Sequence, residues 1–102
     1  MPPRLLWTPS PERVERAAIT RFARERGLPE SYAELHRWSV EHLEEFWAAI
    51  WEHFGVQGSY EEVLASREMP GARWFTGSRV NYARHVFAGK DAGALAIQHA
   101  SE

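Results

Sequence analysis

Apolar side chains recur at every third or fourth position of residues 43–54, in the stretch LEEFWAAIWEHF. This spacing is that of one face of an α-helix, and glutamates occupy the opposite face. Most of these apolar side chains are aromatic, and each buried ring removes about 150–250 Å² from water, so we expect the chain to fold around this helix. The stripe consists of Leu43, Phe46, Trp47, Ile50, Trp51 and Phe54.

The N-terminal half contains a second helical pattern. The tripeptide SPE at positions 10–12 combines a capping serine, a proline suited to the first helical position and an early acid. It predicts a helix over residues 11–26, which Gly27 ends, while prolines keep residues 1–10 extended. The inner face of this helix should carry Val14, Ala17, Ala18 and Phe22. The arginines Arg13, Arg16, Arg21, Arg24 and Arg26 should face outward, as a solvated surface or, less favoured, as an anion-binding surface.

Serines predict the remaining helix starts. Ser31 fits a capping box before a short helix over residues 32–38, and Ser39 should cap the main helix, which Gly55 ends. In the C-terminal half we expect a helix over residues 60–66, capped by Ser59, and then an irregular stretch over 67–78. A helix over 79–87, capped by Ser78, should follow. A linker over 88–93 should then lead to a β-strand over 94–99. Trp74 and Phe75 lie in the irregular stretch and should plug into an apolar surface.

The predicted fold class is mainly α. We expect a small irregular bundle of about five short helices with long loops. A single strand near the C-terminus has no partner to pair with, so it is interpreted as the stub of a strand that belongs to a following domain.

Composition places the chain among small globular proteins. Its 102 residues suffice for one domain, with 44% hydrophobic and 25% charged residues. A net charge of −2 gives no electrostatic reason to expect nucleic acid or an anionic membrane as partner. Positive charge is nearly all arginine, with Lys90 as the single lysine, which suggests either phosphate recognition or, as we prefer, GC-rich coding bias. Without cysteine or a signal-like apolar run, we expect a cytoplasmic protein.

No set of residues has the spacing of a catalytic or metal site. His42 and His53 lie about 16 Å apart along a helix, too far to share a metal, so exposed histidines are expected. Motifs for phosphate-binding loops and for serine hydrolases do not occur. Aromatic residues suggest a base-stacking platform as an alternative, but basic residues are not interleaved among them, so core packing is preferred. These rings are Trp47, Trp51, Trp74 and Phe75.

Three stretches carry recognisable motifs: LWTPS at residues 6–10, YAELHRWSVEHLEEFWAAIWEHF at 32–54 and MPGARWFTGSRVNYARHVF at 69–87. Together they resemble the segment that precedes the catalytic domain of acetoacetyl-CoA synthetases, in the acyl-CoA synthetase branch of the AMP-forming adenylating enzymes. The resemblance implies a structural role for Trp38, Ser39, Phe46, Trp47, Trp51, Trp74, Phe75, Gly77, Asn81 and Tyr82.

The chain departs from the family's usual pattern after Phe75. Thr76 stands where the family usually has proline, and Ser78 where it usually has alanine. Arg84-His85 replaces a usual Glu-Asn, and Val86-Phe87 replaces Leu-Leu. The Arg84-His85 change indicates a divergent member.

The resemblance implies a two-step ligase reaction for the complete enzyme, with ATP, Mg and CoA. Acetoacetate and ATP give an acyl-adenylate and pyrophosphate, and CoA then displaces AMP. The family's catalytic, cofactor-binding and metal residues lie downstream, so none is expected in this segment, and the 102-residue chain alone is expected to be inactive. Residues 1–92 would form an N-terminal helical domain that braces its partner, the AMP-binding domain of the same polypeptide. Residues 93–102 would begin that domain.

Two other hypotheses are open. The chain is alternatively a free-standing, non-catalytic helical module that binds another protein and derives from the same segment. The least favoured hypothesis is a nucleic-acid binder that uses the arginine-rich first helix, which would require salt-dependent binding.

Overall fold

The structure, a computed structural model, describes residues 1–102. Its elements are α1 (Pro11–Arg16), α2 (Ala18–Glu25), α3 (Tyr32–Glu41), α4 (Leu43–His53), β1 (Glu62–Ser66), β2 (Arg73–Thr76) and α5 (Tyr82–Phe87). The chain divides into two units, Met1–Phe54 with the first four helices and Gly55–Glu102 with the strands and α5. The mainly α fold with about five short helices is confirmed. No helix is long and apolar enough to cross a membrane.

The first predicted helix is interrupted at Ala17, so the prediction of one continuous helix over residues 11–26 is wrong. Ala17 has φ −66° and ψ 140°, which is extended backbone between α1 and α2. The Thr20 hydroxyl, in a buried position, donates to the Val14 carbonyl at 2.6 Å. A hydroxyl bound to a nearby carbonyl competes with helical backbone pairing, which explains the break.

The break also changes which side chains face inward. Val14 and Ala18 were expected to face inward but are exposed. Their predicted face came from counting helical turns through residue 17, where the helix is interrupted. Phe22 is buried as predicted. The buried hydrophobic residues of the first unit are Phe22, Ala23, Leu35 and Ala49.

The third helix is longer than predicted, and Ser39 does not cap α4. Ser31 is the N-cap residue of α3 as predicted, although its side chain makes no capping hydrogen bond. Ser39 lies inside α3 and donates its hydroxyl to the His36 carbonyl at 2.7 Å. A single non-helical residue, His42, separates α3 from α4. Gly55, with φ 60°, follows α4 as predicted.

The aromatic stripe of α4 is present but is not a buried centre. Only Ala49 of this helix is buried. Trp47 is 39% exposed and Phe54 60% exposed. The stripe is therefore a half-covered face within this chain, which differs from the expectation that the chain folds around it.

The second unit contains a β-hairpin where a helix and an irregular stretch were predicted. Strands β1 and β2 pair antiparallel, with Leu64 opposite Trp74 and Glu62 opposite Thr76. Leu64 is buried. The predicted helix over residues 60–66 is therefore wrong, because cross-strand pairing outweighs the helix propensity of Glu and Ala in that stretch.

The last helix begins three residues later than predicted. Asn81, not Ser78, is the N-cap, and its side-chain oxygen accepts a hydrogen bond from the Arg84 backbone N–H at 3.0 Å. Asparagine is among the strongest capping residues. Residues 94–102 form no strand within this chain, since nothing in it pairs with them.

Ion pairs neutralise part of the arginine-rich surface. Arg24 contacts both carboxylate oxygens of Glu15 at 2.7 Å and one of Glu30 at 2.9 Å, which ties α1, α2 and the segment before α3 together. The hydrogen bonds from Arg24, and its charge, hold the pKa of the Glu15 carboxyl below its ordinary value. Arg26, expected to face outward, instead reaches Glu52 of α4 at 2.8 Å. These pairings favour the solvated surface over an anion-binding one.

Acidification should weaken the Arg24 cluster. The pKa of Glu15 is lowered by folding, so its contribution to stability is present at neutral pH and is lost as the pH falls through the folded-state value. We expect Glu15→Gln to flatten the decline of the urea midpoint between about pH 5 and pH 3. Glu12→Gln, on the same helix, should leave that decline unchanged. Equal slopes for Glu15→Gln and the parent chain would contradict this assignment.

Candidate functional site

The ten motif residues fall into two sets, one in each unit. The first set lies on α3 and α4 and contains Trp38, Ser39, Phe46, Trp47 and Trp51. The second set lies at the end of β2 and the start of α5 and contains Trp74, Phe75, Gly77, Asn81 and Tyr82. The prediction of an irregular loop around Trp74 and Phe75 is wrong, since both belong to β2.

Aromatic edge-to-face contacts join α3 to α4 in the first set. The ring centroids of Trp38 and Phe46 are 5.8 Å apart at 82°, and those of Phe46 and Trp47 are 5.1 Å apart at 71°. Such pairs contribute about 0.5–1.5 kcal/mol beyond the area they bury. The motif rings therefore fix how α3 meets α4, while part of Trp47 stays open to solvent.

An apolar groove of about 310 Å³ opens between α2, α3 and α4. Its walls include Phe22, Leu35, Phe46, Ile50 and Phe54. The few polar side chains on the groove make it a surface for apolar contact rather than for acid–base chemistry.

His53 is a residue whose role was missed by the sequence interpretation, which expected an exposed histidine. Its side chain is only 19% exposed, and its Nδ1 lies 3.4 Å from a Glu25 carboxylate oxygen. The ring meets Phe22 edge-on at 5.2 Å and Phe54 at 5.0 Å. Its position three residues after Ile50, at the edge of the apolar stripe, is the signal that would have placed it here.

A strained turn shapes the second set. Phe75 has φ 44°, a left-handed conformation that is an outlier for a bulky residue. Its ring meets Tyr60 edge-on at 5.2 Å. Its carbonyl accepts hydrogen bonds from the Ser78 hydroxyl at 2.6 Å and the Ser78 backbone N–H at 3.2 Å. Gly77, with φ 75°, completes the turn that leads from β2 towards α5.

The chemistry of the motif residues is that of packing. They include no carboxylate or imidazole, whereas Mg²⁺ is held by carboxylate oxygens and phosphate groups. No group of three His, Asp or Glu residues could hold a metal ion. The ten residues therefore do not fit a metal–nucleotide site, and no catalytic step is assigned to them.

Residues 32–86, more than half of the chain, match a family model described as the acetyl-coenzyme A synthetase N-terminus. The chain belongs to this family. All ten motif residues lie inside the matched range.

The chain is similar to part of several CoA synthetases. An acetoacetyl-CoA synthetase of Danio rerio is 38% identical over 109 residues, covering 100% of this chain and 16% of that protein. A malonamoyl-CoA synthetase of Penicillium aethiopicum is 37% identical over 60 residues, covering 55% of this chain and 8% of that protein. The solved acetoacetyl-CoA synthetase from Streptomyces lividans matches with a TM-score of 0.75 and 46% identity, over 84% of this chain and 15% of that one. The chain thus spans about a sixth of the synthetases it matches along its length.

Replacing Gly77 should destabilise the turn. Gly77→Ala forces a side chain into left-handed backbone, which costs about 1–2 kcal/mol, and its Cβ would lie 3.0 Å from the Glu61 side chain. Gly93→Ala is the matched control, because Gly93 does not have left-handed backbone and its Cβ would make only an ordinary contact, 3.8 Å from the Asp91 side chain, so it should change stability by less than about 0.5 kcal/mol. Urea unfolding measures both. Equal stabilities of the two variants would contradict the strain assigned to this turn.

Proposed function

We propose that this chain is the N-terminal segment of an AMP-forming acetoacetate–CoA ligase and that it braces the large adenylating domain. The complete enzyme would convert ATP, acetoacetate and CoA to acetoacetyl-CoA, AMP and pyrophosphate, with Mg as a further cofactor. Family membership and the acetoacetyl-CoA synthetase relatives support the parent reaction. The cytoplasm is the proposed location.

The large solvent-accessible surface area of this chain is the observation that supports the bracing role. A globular protein of 11.7 kDa is expected to expose about 5,900 Å². Two independent globules of half that mass would together expose about 7,100 Å². The chain exposes 9112 Å². The excess of about 2,000 Å², even over two separate globules, exceeds the roughly 800 Å² that each partner buries in a protein interface of standard size.

Much of the exposed surface is apolar. Eighteen large hydrophobic residues are exposed, whereas five hydrophobic residues are buried. Isolated exposed hydrophobic residues are normal, but this proportion is typical of a surface that another body covers. In the first unit they include Leu5, Leu6, Trp7, Val40, Trp47 and Phe54. In the second unit they include Trp74, Val80, Tyr82, Phe87, Leu95 and Ile97.

The proposed cover is the adenylating domain of the same polypeptide. The matched synthetases extend over about six times the length of this chain, so a body large enough to bury these residues belongs to each of them. The contribution of this chain is mechanical. It packs rings and aliphatic side chains against that domain and excludes water from its edge. Since a malonamoyl-CoA synthetase shares the segment, the acyl group would be selected elsewhere.

An ATP–pyrophosphate exchange assay with acetoacetate tests the proposal. The product of the complete reading frame should catalyse exchange, whereas the 102-residue chain should show none, because no catalytic residue is expected within it. Butyrate in place of acetoacetate is the control for acyl selectivity. Exchange by the isolated chain would contradict the non-catalytic role. A stop codon directly after Glu102 in an intact genome would contradict membership of a ligase.

A further inference from the structure

A second cavity, in the second unit, has a chemical character unlike that of the apolar groove. It encloses about 660 Å³. Its lining comes from the loop after α4, from the segment that connects the strained turn to α5, and from α5 itself. The polar residues on it are Gln57, Ser78, Arg79, Asn81, Arg84 and His85. None of the lining residues is acidic.

The two arginines on this cavity differ from those of the first unit. Arg24 and Arg26 form ion pairs with glutamate carboxylates, as described above. Neither Arg79 nor Arg84 has a side-chain ion pair or hydrogen bond. Two unpaired guanidinium groups on one cavity without a carboxylate make a local positive field, although the chain as a whole is slightly acidic.

Further hydrogen-bond donors are available beside the guanidinium groups. The Asn81 side-chain oxygen is used by the backbone N–H of Arg84, which leaves its NH₂ group free to donate. The Gln57 amide offers a second NH₂ group. The cavity thus combines fixed charge with neutral donors, the combination that binds phosphate oxygens.

His85, also on the lining of this cavity, has a ring nitrogen without a partner. Its Nδ1 is buried and has no hydrogen-bond partner. Buried polar atoms in native proteins are nearly always paired, so an orphaned ring nitrogen on a cavity wall calls for an explanation. The atom is enclosed as the ring stands, so an oxygen of a bound anion would become its partner after a rotation of the ring that turns a protonated Nδ1 towards the cavity.

We infer that this cavity binds the phosphate group of a small molecule, through Arg79, Arg84 and His85, with Gln57 and Asn81 as neutral donors. Phosphate binding differs in chemistry from the bracing role, and Val80 is the one residue that belongs to both the cavity lining and the exposed apolar surface of the second unit.

Nuclear magnetic resonance of the ¹⁵N-labelled chain, titrated with inorganic phosphate at constant ionic strength, tests the inference. Saturable shifts should appear in residues 57 and 78–85 and in the His85 ring. Arg79→Gln and Arg84→Gln should each weaken binding about tenfold, since each removes a charge-assisted hydrogen bond. Arg16→Gln removes the same charge from an exposed position on α1 and should leave the affinity unchanged within about twofold.

Two results would overturn the inference. One is a linear, unsaturated response of the parent chain. The other is an equal loss of affinity in Arg16→Gln, which would indicate general charge screening. Retained spectral dispersion shows that each variant is folded.

Titrations with AMP and with pyrophosphate then identify the source of the phosphate, because tighter binding of AMP than of phosphate indicates a nucleotide, and equal affinities indicate recognition of the phosphate group alone.

Discussion

The chain buries only a few of its own hydrophobic residues and leaves most of the large ones exposed. Burial of apolar side chains is the main favourable term in folding, at about 25 cal/mol per Å². Here the buried hydrophobic residues are few and include two alanines, and no large side chain is fully enclosed. The fold is instead held by local interactions: ring pairs between neighbouring helices, capping side chains, ion pairs and a short hairpin. These interactions set how neighbouring elements pack, while the exposed faces of Trp47 and Trp74 remain available to a larger partner.

Features that depend on a few neighbouring residues could be predicted from the sequence. Ser10 caps α1 through its hydroxyl, and Gly27 and Gly55 take left-handed backbone directly after helices. The body of the main helix and its end before Gly55 were predicted correctly because its apolar period is long and regular, whereas its start was placed too early, at Ser39. The family motifs were recognisable for the same reason, since the residues around Trp38 and Asn81 are short, contiguous patterns.

Features that depend on distant partners could not be predicted in this way. The pairing of Leu64 with Trp74 joins residues ten positions apart, and it turned a helix-favouring stretch into a strand. The aromatic and β-branched content of the second strand after a Pro-Gly turn was the available signal. The break at Ala17 depends on one hydroxyl, that of Thr20, which could also have faced solvent. The cavity around Arg84 likewise forms only when the loop after α4 meets the start of α5.

Hydroxyl-radical footprinting of the isolated chain and of the product of the complete reading frame is the most direct measurement of whether a larger body covers this segment. Oxidation of Trp7, Trp47 and Trp74 should be several-fold slower in the complete polypeptide, because the proposed bracing role places them against the adenylating domain. Oxidation of Phe22, which is buried in the segment itself, should be slow in both and shows that the segment is folded in each. Equal oxidation rates of the three tryptophans in the two samples would contradict the bracing role.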